Sequence, residues 1–302
     1  MFYKNEIKRH KLLECLTGKS NLKNVERLNI AESQVAFRAV NITNRYFQKM
    51  SFDCKKGEIL GIYDLRNKFS REWYRLLLGK RGYEGEIYVG NRKVKISEAY
   101  HLARNKMGII DGDTYQSLLF PELSLSENIG IAAYQKTAKY GWFINSRVRK
   151  YLERKGSEIS ENNVIMKDVK GVSRSDAMQI VYQRWALVNP EVLFCFQPFL
   201  RLDAITRAQV ESILLEYSLS GMSIVINSAN IEDILTICDR VLIVEDNQGT
   251  NKAICEYMKE AGHTLFSAFT GSEALKIFRG EELDIIVLDI MLPEMSGIVV
   301  LH

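Results

Sequence analysis

Two runs constrain this chain more than any others: EVLFCF at 191–196 and SIVINSA at 223–229. Each is short and largely apolar without alternation, the pattern of a strand covered on both faces. Between them, TRAQVESILLEYSLSG places apolar residues at helical spacing and closes on Gly221. A buried strand, a helix and a second buried strand imply a parallel sheet with helical crossovers, and therefore the α/β class. SRSDAMQIVYQRWALV, 173–188, is a preceding helix with Ser173 or Ser175 as its cap and Pro190 past its end, and IEDILTICD is a following one.

Upstream the pattern is β-rich. VAFRAVNI suggests one strand, KMSFDCKKGEILGIY a second with Gly57 at a turn, and EGEIYVGNRKVKI a hairpin turning at Gly90-Asn91. SREWYRLLLG reads as a helix closed by Gly79, so that strand, loop and helix follow one another as in phosphate-binding loops. Residues 124–170 read as mostly helical and polar. Residues 1–30 read as a polar leader or a remnant of a preceding unit, with a helix over 5–17. After Val244 the alternation resumes on a smaller scale: helix 250–261, strand 263–268, helix 271–279, strand 284–288.

Composition narrows the function. The longest apolar runs are strand-sized, far short of the roughly 20 residues that span a bilayer, and the charged start is unlike a secretory signal. A cytoplasmic protein is expected. Five scattered cysteines without a CxxC pair and four dispersed histidines point to neither a disulfide framework nor a zinc centre. The net charge of +4 hides an asymmetry, with ten acidic and four basic side chains from Val241 onward. Two units of different origin are expected, and no basic stripe interleaved with aromatics suggests nucleic-acid binding.

The order and wording of residues 55–244 resemble the nucleotide-binding domain of ATP-binding-cassette (ABC) transporters, above all the second cassette of tandem sugar-importer ATPases. KGEILGIY, EGEIYVGNRKV, LLFPELSLSENI, RWALVNPEVLF and ILTICDRVLIV carry the likeness. It implies a P-loop NTPase-like fold with a β-rich start, a parallel α/β core and a helical subdomain, over 31–240. A phosphate loop uses glycines to turn backbone N–H groups inward and a Lys to neutralise phosphate. On the family's pattern Asp64, Asn67 and Phe69 fall at the glycines, Ser70 at the Lys and Arg71 at the Mg²⁺-binding Ser/Thr, with Lys68 beside them. Asp64 and Phe69 are expected to fill the polyphosphate space. The acidic pair of the Walker B strand becomes Phe196 and Gln197, the signature reads Ser173, Arg174 and Ser175, and the switch His becomes Ala229. Pro198 and the Leu202-Asp203 pair survive. These replacements predict a non-hydrolysing cassette, no enzyme, with no ATP as cofactor.

VLIVEDN and DIIVLDIMLPEMSG resemble the receiver domain of two-component response regulators. The resemblance implies a partial flavodoxin-like βαβαβ unit over 241–302, with Asp289 as phosphoacceptor and Glu245, Asp246 and Asp289 around Mg²⁺. Hard oxygen ligands suit that ion, and carboxylates at the ends of neighbouring parallel strands converge. The stretch stops short of five βα units, so the later strands are expected to be missing. Together the two likenesses imply a regulatory or scaffold protein with a receiver-type phosphoacceptor region, partnered by a sensor histidine kinase, an ABC permease or a second cassette, and peripheral to the membrane at most. The alternatives are a signalling protein controlled through a working Asp289 and an ATP-binding transporter subunit with residual ATP binding. RVLIVED fits both templates. The chemical match of Glu245-Asp246 with Asp289 favours pairing of Val241–Val244 with the receiver strands, which would deprive the cassette of its last strand.

Overall fold

The computed structural model of the chain describes residues 34–131, 138–139, 143–144, 150 and 172–243. The leader with its helix over 5–17, most of the stretch 132–171, and Glu245, Asp246 and Asp289 lie outside the described residues.

Two sheets face each other. The first is antiparallel, ordered β2-β1-β4-β5, from β1 (Val35–Thr43), β2 (Met50–Lys55), β4 (Glu84–Val89) and β5 (Arg92–Val94). The second is parallel, ordered β11-β3-β10-β9-β6, from β3 (Ile59–Tyr63), β6 (Met107–Asp111), β9 (Val192–Phe196), β10 (Ser223–Ser228) and β11 (Arg240–Ile243). Every residue of β3, β9 and β10 is buried, in keeping with their largely apolar runs. Gly90 has φ 56° at the two-residue hairpin turn, a left-handed conformation that a side chain would strain.

Alternation along the parallel strands divides the core. Leu60, Ile62, Phe194 and Val225 pack toward the antiparallel sheet and α1 (Lys68–Leu77), around a fully buried Trp73. The Trp73 ring lies edge-on to Phe52 at 5.2 Å and stacks on Phe69 at 6.2 Å. Ile59, Leu193, Cys195, Ile224 and Ile226 face α4 (Arg174–Val188) and α5 (Ala204–Leu219). Each such side chain contributes about 1.5–3 kcal/mol on burial. Over the other flank lies α6 (Ile231–Leu235). It sits so close to β3 that a Cβ on Gly61 would meet Ile234 at 2.3 Å and the Cys238 sulfur at 2.9 Å.

Helix boundaries follow their caps. Ser173, not Ser175, caps α4 by accepting from the Asp176 N–H at 3.1 Å. That helix stops at Val188 because Asn189 turns left-handed, φ 46°, ahead of Pro190. Asp203 caps α5, accepting from Ile205 at 3.0 Å and Thr206 at 2.9 Å. Two short helices are α2 (Tyr100–Arg104) and α3 (Leu125–Gly130), the latter closed by a reciprocal Ser124/Glu127 box. Within the stretch expected to be mostly helical, β7 (Ala138–Lys139) and β8 (Phe143–Ile144) pair antiparallel. Among the described residues no helix is long and apolar enough to cross a membrane.

The pairing of the last strand corrects the expectation that Val241–Val244 leaves the cassette. Arg240, Val241, Leu242 and Ile243 pair in parallel with Leu60, Gly61, Ile62 and Tyr63. The cause is long-range. Arg240 reaches Glu58 with two nitrogens, one of them at 3.1 Å, and Asp53 at 3.1 Å. The Asp239 carboxylate accepts from the Ile59 N–H at 2.8 Å. Val241 is buried with Tyr63 and Ile234, and Leu242 in the larger core. The expected join between 240 and 241 therefore falls inside β11.

Candidate functional site

The chain leaves β3 at Asp64, whose N–H donates to the Ser228 carbonyl at the end of β10, 3.0 Å away. Asn67 then adopts φ 52° and α1 begins. This is the strand, loop and helix in which a phosphate-binding loop sits, with the free N–H groups and positive end of the helix dipole facing the loop. Asp64 itself meets that end. Its carboxylate, in a residue only 2% exposed, accepts from the Ser70 N–H at 2.7 Å. No cation pairs with it among the described residues, so the helix N-terminus supplies its electrostatic complement.

The Asp64 carboxylate thus lies at the loop, whereas Phe69 does not. The Phe69 ring is buried against Phe47 at 5.4 Å and stacked on Trp73, turned into the core rather than the loop. A helix that buries Phe69, Trp73, Leu76 and Leu77 on one face directs position 69 inward. Ser70 is buried and its hydroxyl finds no partner among the described residues. Lys68 and Arg71 are exposed.

The end of β9 closes the other wall. Phe196 is buried, edge-on to Tyr74 at 5.1 Å. Gln197 takes φ 48° and its side-chain amide donates to the Asn67 side-chain Oδ1 at 2.5 Å, tying the Walker B position to the phosphate loop. Ala229 follows β10 directly and is half-buried. The structure brings Asp64, Asn67, Ser70 and Gln197 together where β3 and β9 end.

The signature-position residues engage their own chain. Arg174 donates to the Gly112 and Leu200 carbonyls, the latter at 3.3 Å, and lies over the Tyr115 ring at 5.7 Å. The Ser175 hydroxyl accepts from Thr206 at 3.3 Å. Sequence reasoning missed Tyr115: burial pushes its phenol well up, and it donates to the Pro198 carbonyl at 2.9 Å, holding the loop after β9. Arg184, also missed, is brought down to about 10 by burial and donates to the Asn128 and Leu118 carbonyls, each at 3.0 Å. Among the described residues no group of three or more His, Cys, Asp or Glu is arranged to hold a metal. A cavity of about 700 Å³ lined by Arg81, Tyr83, Lys93 and Lys95 includes none of the sequence-predicted residues.

The same arrangement of sheets and helices occurs in cbiO1 of Clostridium perfringens, part of an ABC transporter complex, with a TM-score of 0.59 at 16% identity over 75% of this chain and 94% of that one. The fold is that of an ATP-binding cassette. Sequence relatives carry the likeness to sugar import. The cassette-bearing chain is 29% identical over 209 residues to a candidate ribose/galactose/methyl galactoside import ATP-binding protein of Halalkalibacterium halodurans, covering 68% of this chain and 40% of that protein. It is 26% identical over 251 residues to the ribose import ATP-binding protein RbsA of Geobacillus kaustophilus, covering 81% and 49%. The chain thus spans about half the length or less of these curated relatives.

Residues 241–302 match the response regulator receiver domain. The match begins at Val241, within the last strand of the cassette sheet. One expectation is overturned. That the chain is no enzyme, inferred from its replaced motifs, does not stand beside relatives named for ATP binding in sugar import.

Proposed function

We propose that the chain is a regulatory or scaffolding cassette, related to those of sugar importers, that carries a receiver-type phosphoacceptor region. The observation that carries the reading is the join: the receiver match starts inside the strand that completes the cassette sheet, so the two units are spliced through one element. In this reading Asp289 accepts a phosphoryl group from a histidine kinase or a small phosphodonor. Glu245 and Asp246 hold Mg²⁺ beside it, where the ion offsets phosphoryl charge. The cassette is the output, docking on a permease or a second cassette at the inner face of the membrane. The Asp64 carboxylate at the start of α1 supports a regulatory role, because a phosphate entering there meets a like charge, and ATP is held weakly.

The test is labelling of the full chain with acetyl phosphate and Mg²⁺, read by mass. A single phosphoryl adduct on the Asp289 peptide, absent in Asp289→Asn, is the expected result. No adduct, or one that persists in the variant, overturns the phosphoacceptor assignment. The names of the relatives favour a second reading, an ATP-binding subunit of a sugar importer. Mg-ATP at 100 times its dissociation constant stabilises a protein by about 2.7 kcal/mol, so a melting shift of several degrees selects this reading.

A further inference from the structure

The cavity of about 700 Å³ lies past the C-terminal end of α1 and has two walls. One wall is the loop after α1, with Gly79, Arg81 and Tyr83; the other is β5 and the residues after it, to Ser97. Along the second wall Val94 and Ile96 are buried, so strand alternation leaves Lys93 and Lys95 together on the open face. The walls are fixed to each other. The Ile96 N–H donates to the Tyr83 hydroxyl at 3.1 Å, and Gly79 comes so close that a Cβ there would meet the backbone of Ser97 and Glu98 at 2.4 Å. Three cations line the cavity and, among the described residues, no acid does.

The three are held differently. Arg81 is set in place: its Nε donates to the Glu72 carboxylate at 3.0 Å, and its guanidinium lies 5.5 Å from the Tyr46 ring centroid. Glu72 also binds Arg75 at 2.7 Å, so its single charge is shared and a positive surplus remains. The terminal nitrogens of Arg81 have no acceptor among the described residues. Lys93 pairs with Glu86 at the surface, where such a pair contributes little and yields readily to a ligand. Lys95 has no partner among the described residues. A positioned guanidinium on one wall and two ammonium groups on the other suit the oxygens of more than one phosphate. We propose that this cavity binds a small soluble anion carrying two phosphate groups, a diphosphate or a bisphosphate. Its volume falls in the range of about 300–1,000 Å³ typical of small-molecule sites. The site is distinct from the phosphate loop, because the ten residues of α1 separate the two by about 15 Å along the helix axis. It is also independent of the reading of residues 241–302.

Isothermal titration of the full chain with inorganic pyrophosphate, without divalent cations, tests this. The parent chain is expected to bind one pyrophosphate, and to bind it more tightly than inorganic phosphate. Lys93→Gln combined with Lys95→Gln is expected to weaken binding about tenfold or more, since two charge-assisted contacts are lost. Both side chains are exposed, so the fold tolerates the change. Lys68→Gln combined with Arg71→Gln removes the same charge at the phosphate loop. That pair is expected to leave the affinity within about twofold, because the separation exceeds the screening length of about 8 Å at physiological salt. Equal or greater weakening in this second pair, or no saturable binding by the parent chain, overturns the proposal. A membrane face is distinguished by sedimentation with phosphatidylglycerol vesicles: if Lys93 and Lys95 carry the chain down with vesicles while pyrophosphate does not bind, the soluble ligand is overturned.

Discussion

At the scale of single residues, Asp64 is the most informative replacement in the chain. A carboxylate at the phosphate loop supplies the negative charge that the start of α1 attracts, and it does so from within. Removing it in Asp64→Ala leaves the Ser70 N–H without its acceptor, and a loss of about 0.5–2 kcal/mol is expected from denaturant unfolding. The same variant should gain a site for anions: inorganic phosphate is expected to raise its melting temperature more than that of the parent chain. Equal shifts would separate Asp64 from that role. Asp203 is the second informative residue. Hydrogen bonds from the Thr206 N–H, and then its hydroxyl, hold the Asp203 carboxyl below the usual range. A carboxylate whose folded pKa is depressed contributes stability above its unfolded value, near 3.9, and loses it as pH falls through the lower folded value. Asp203→Ala is therefore expected to cost about 1 kcal/mol at neutral pH and little at the acid end of that window.

At the scale of elements, β11 shows how a short strand is assigned. Truncating Arg240 leaves Glu58 buried without its cation, a change expected to cost about 3–5 kcal/mol, measurable by denaturant unfolding. The partners responsible are 182 residues apart in sequence. That distance explains what was legible. The strands β9 and β10 could be read because burial on both faces demands largely apolar runs. The cap at Ser173 or Ser175 could be read because capping obeys local chemistry, whereas the Asp203 cap was not read. In contrast, β6 went unread, because MGIID carries a glycine and an aspartate within five residues and is recognised only by its pairing with β9. The inward turn of Phe69 was illegible for a related reason: the stack on Trp73 and the contact with Phe47 decide it, not the loop motif. For β11 the local pattern fits two sheets equally well, and the long-range contacts of Asp239, Arg240, Val241 and Leu242 select one.

At the scale of the whole molecule, a cassette fold and a receiver match meet inside one strand. The cassette keeps its parallel sheet to the last strand, and the chemistry assigned to Asp289 begins beyond it. This makes the ownership of Arg240–Ile243 the central claim. The direct measurement compares thermal unfolding of two shortened chains, one ending at Ile243 and one at Asp239. Burial of Val241 and Leu242 contributes about 1.5–3 kcal/mol for each side chain, to which the Arg240 contacts add. The account predicts that the chain ending at Ile243 melts cooperatively and that the one ending at Asp239 melts several degrees lower or not cooperatively. Indistinguishable melting of the two chains would contradict it.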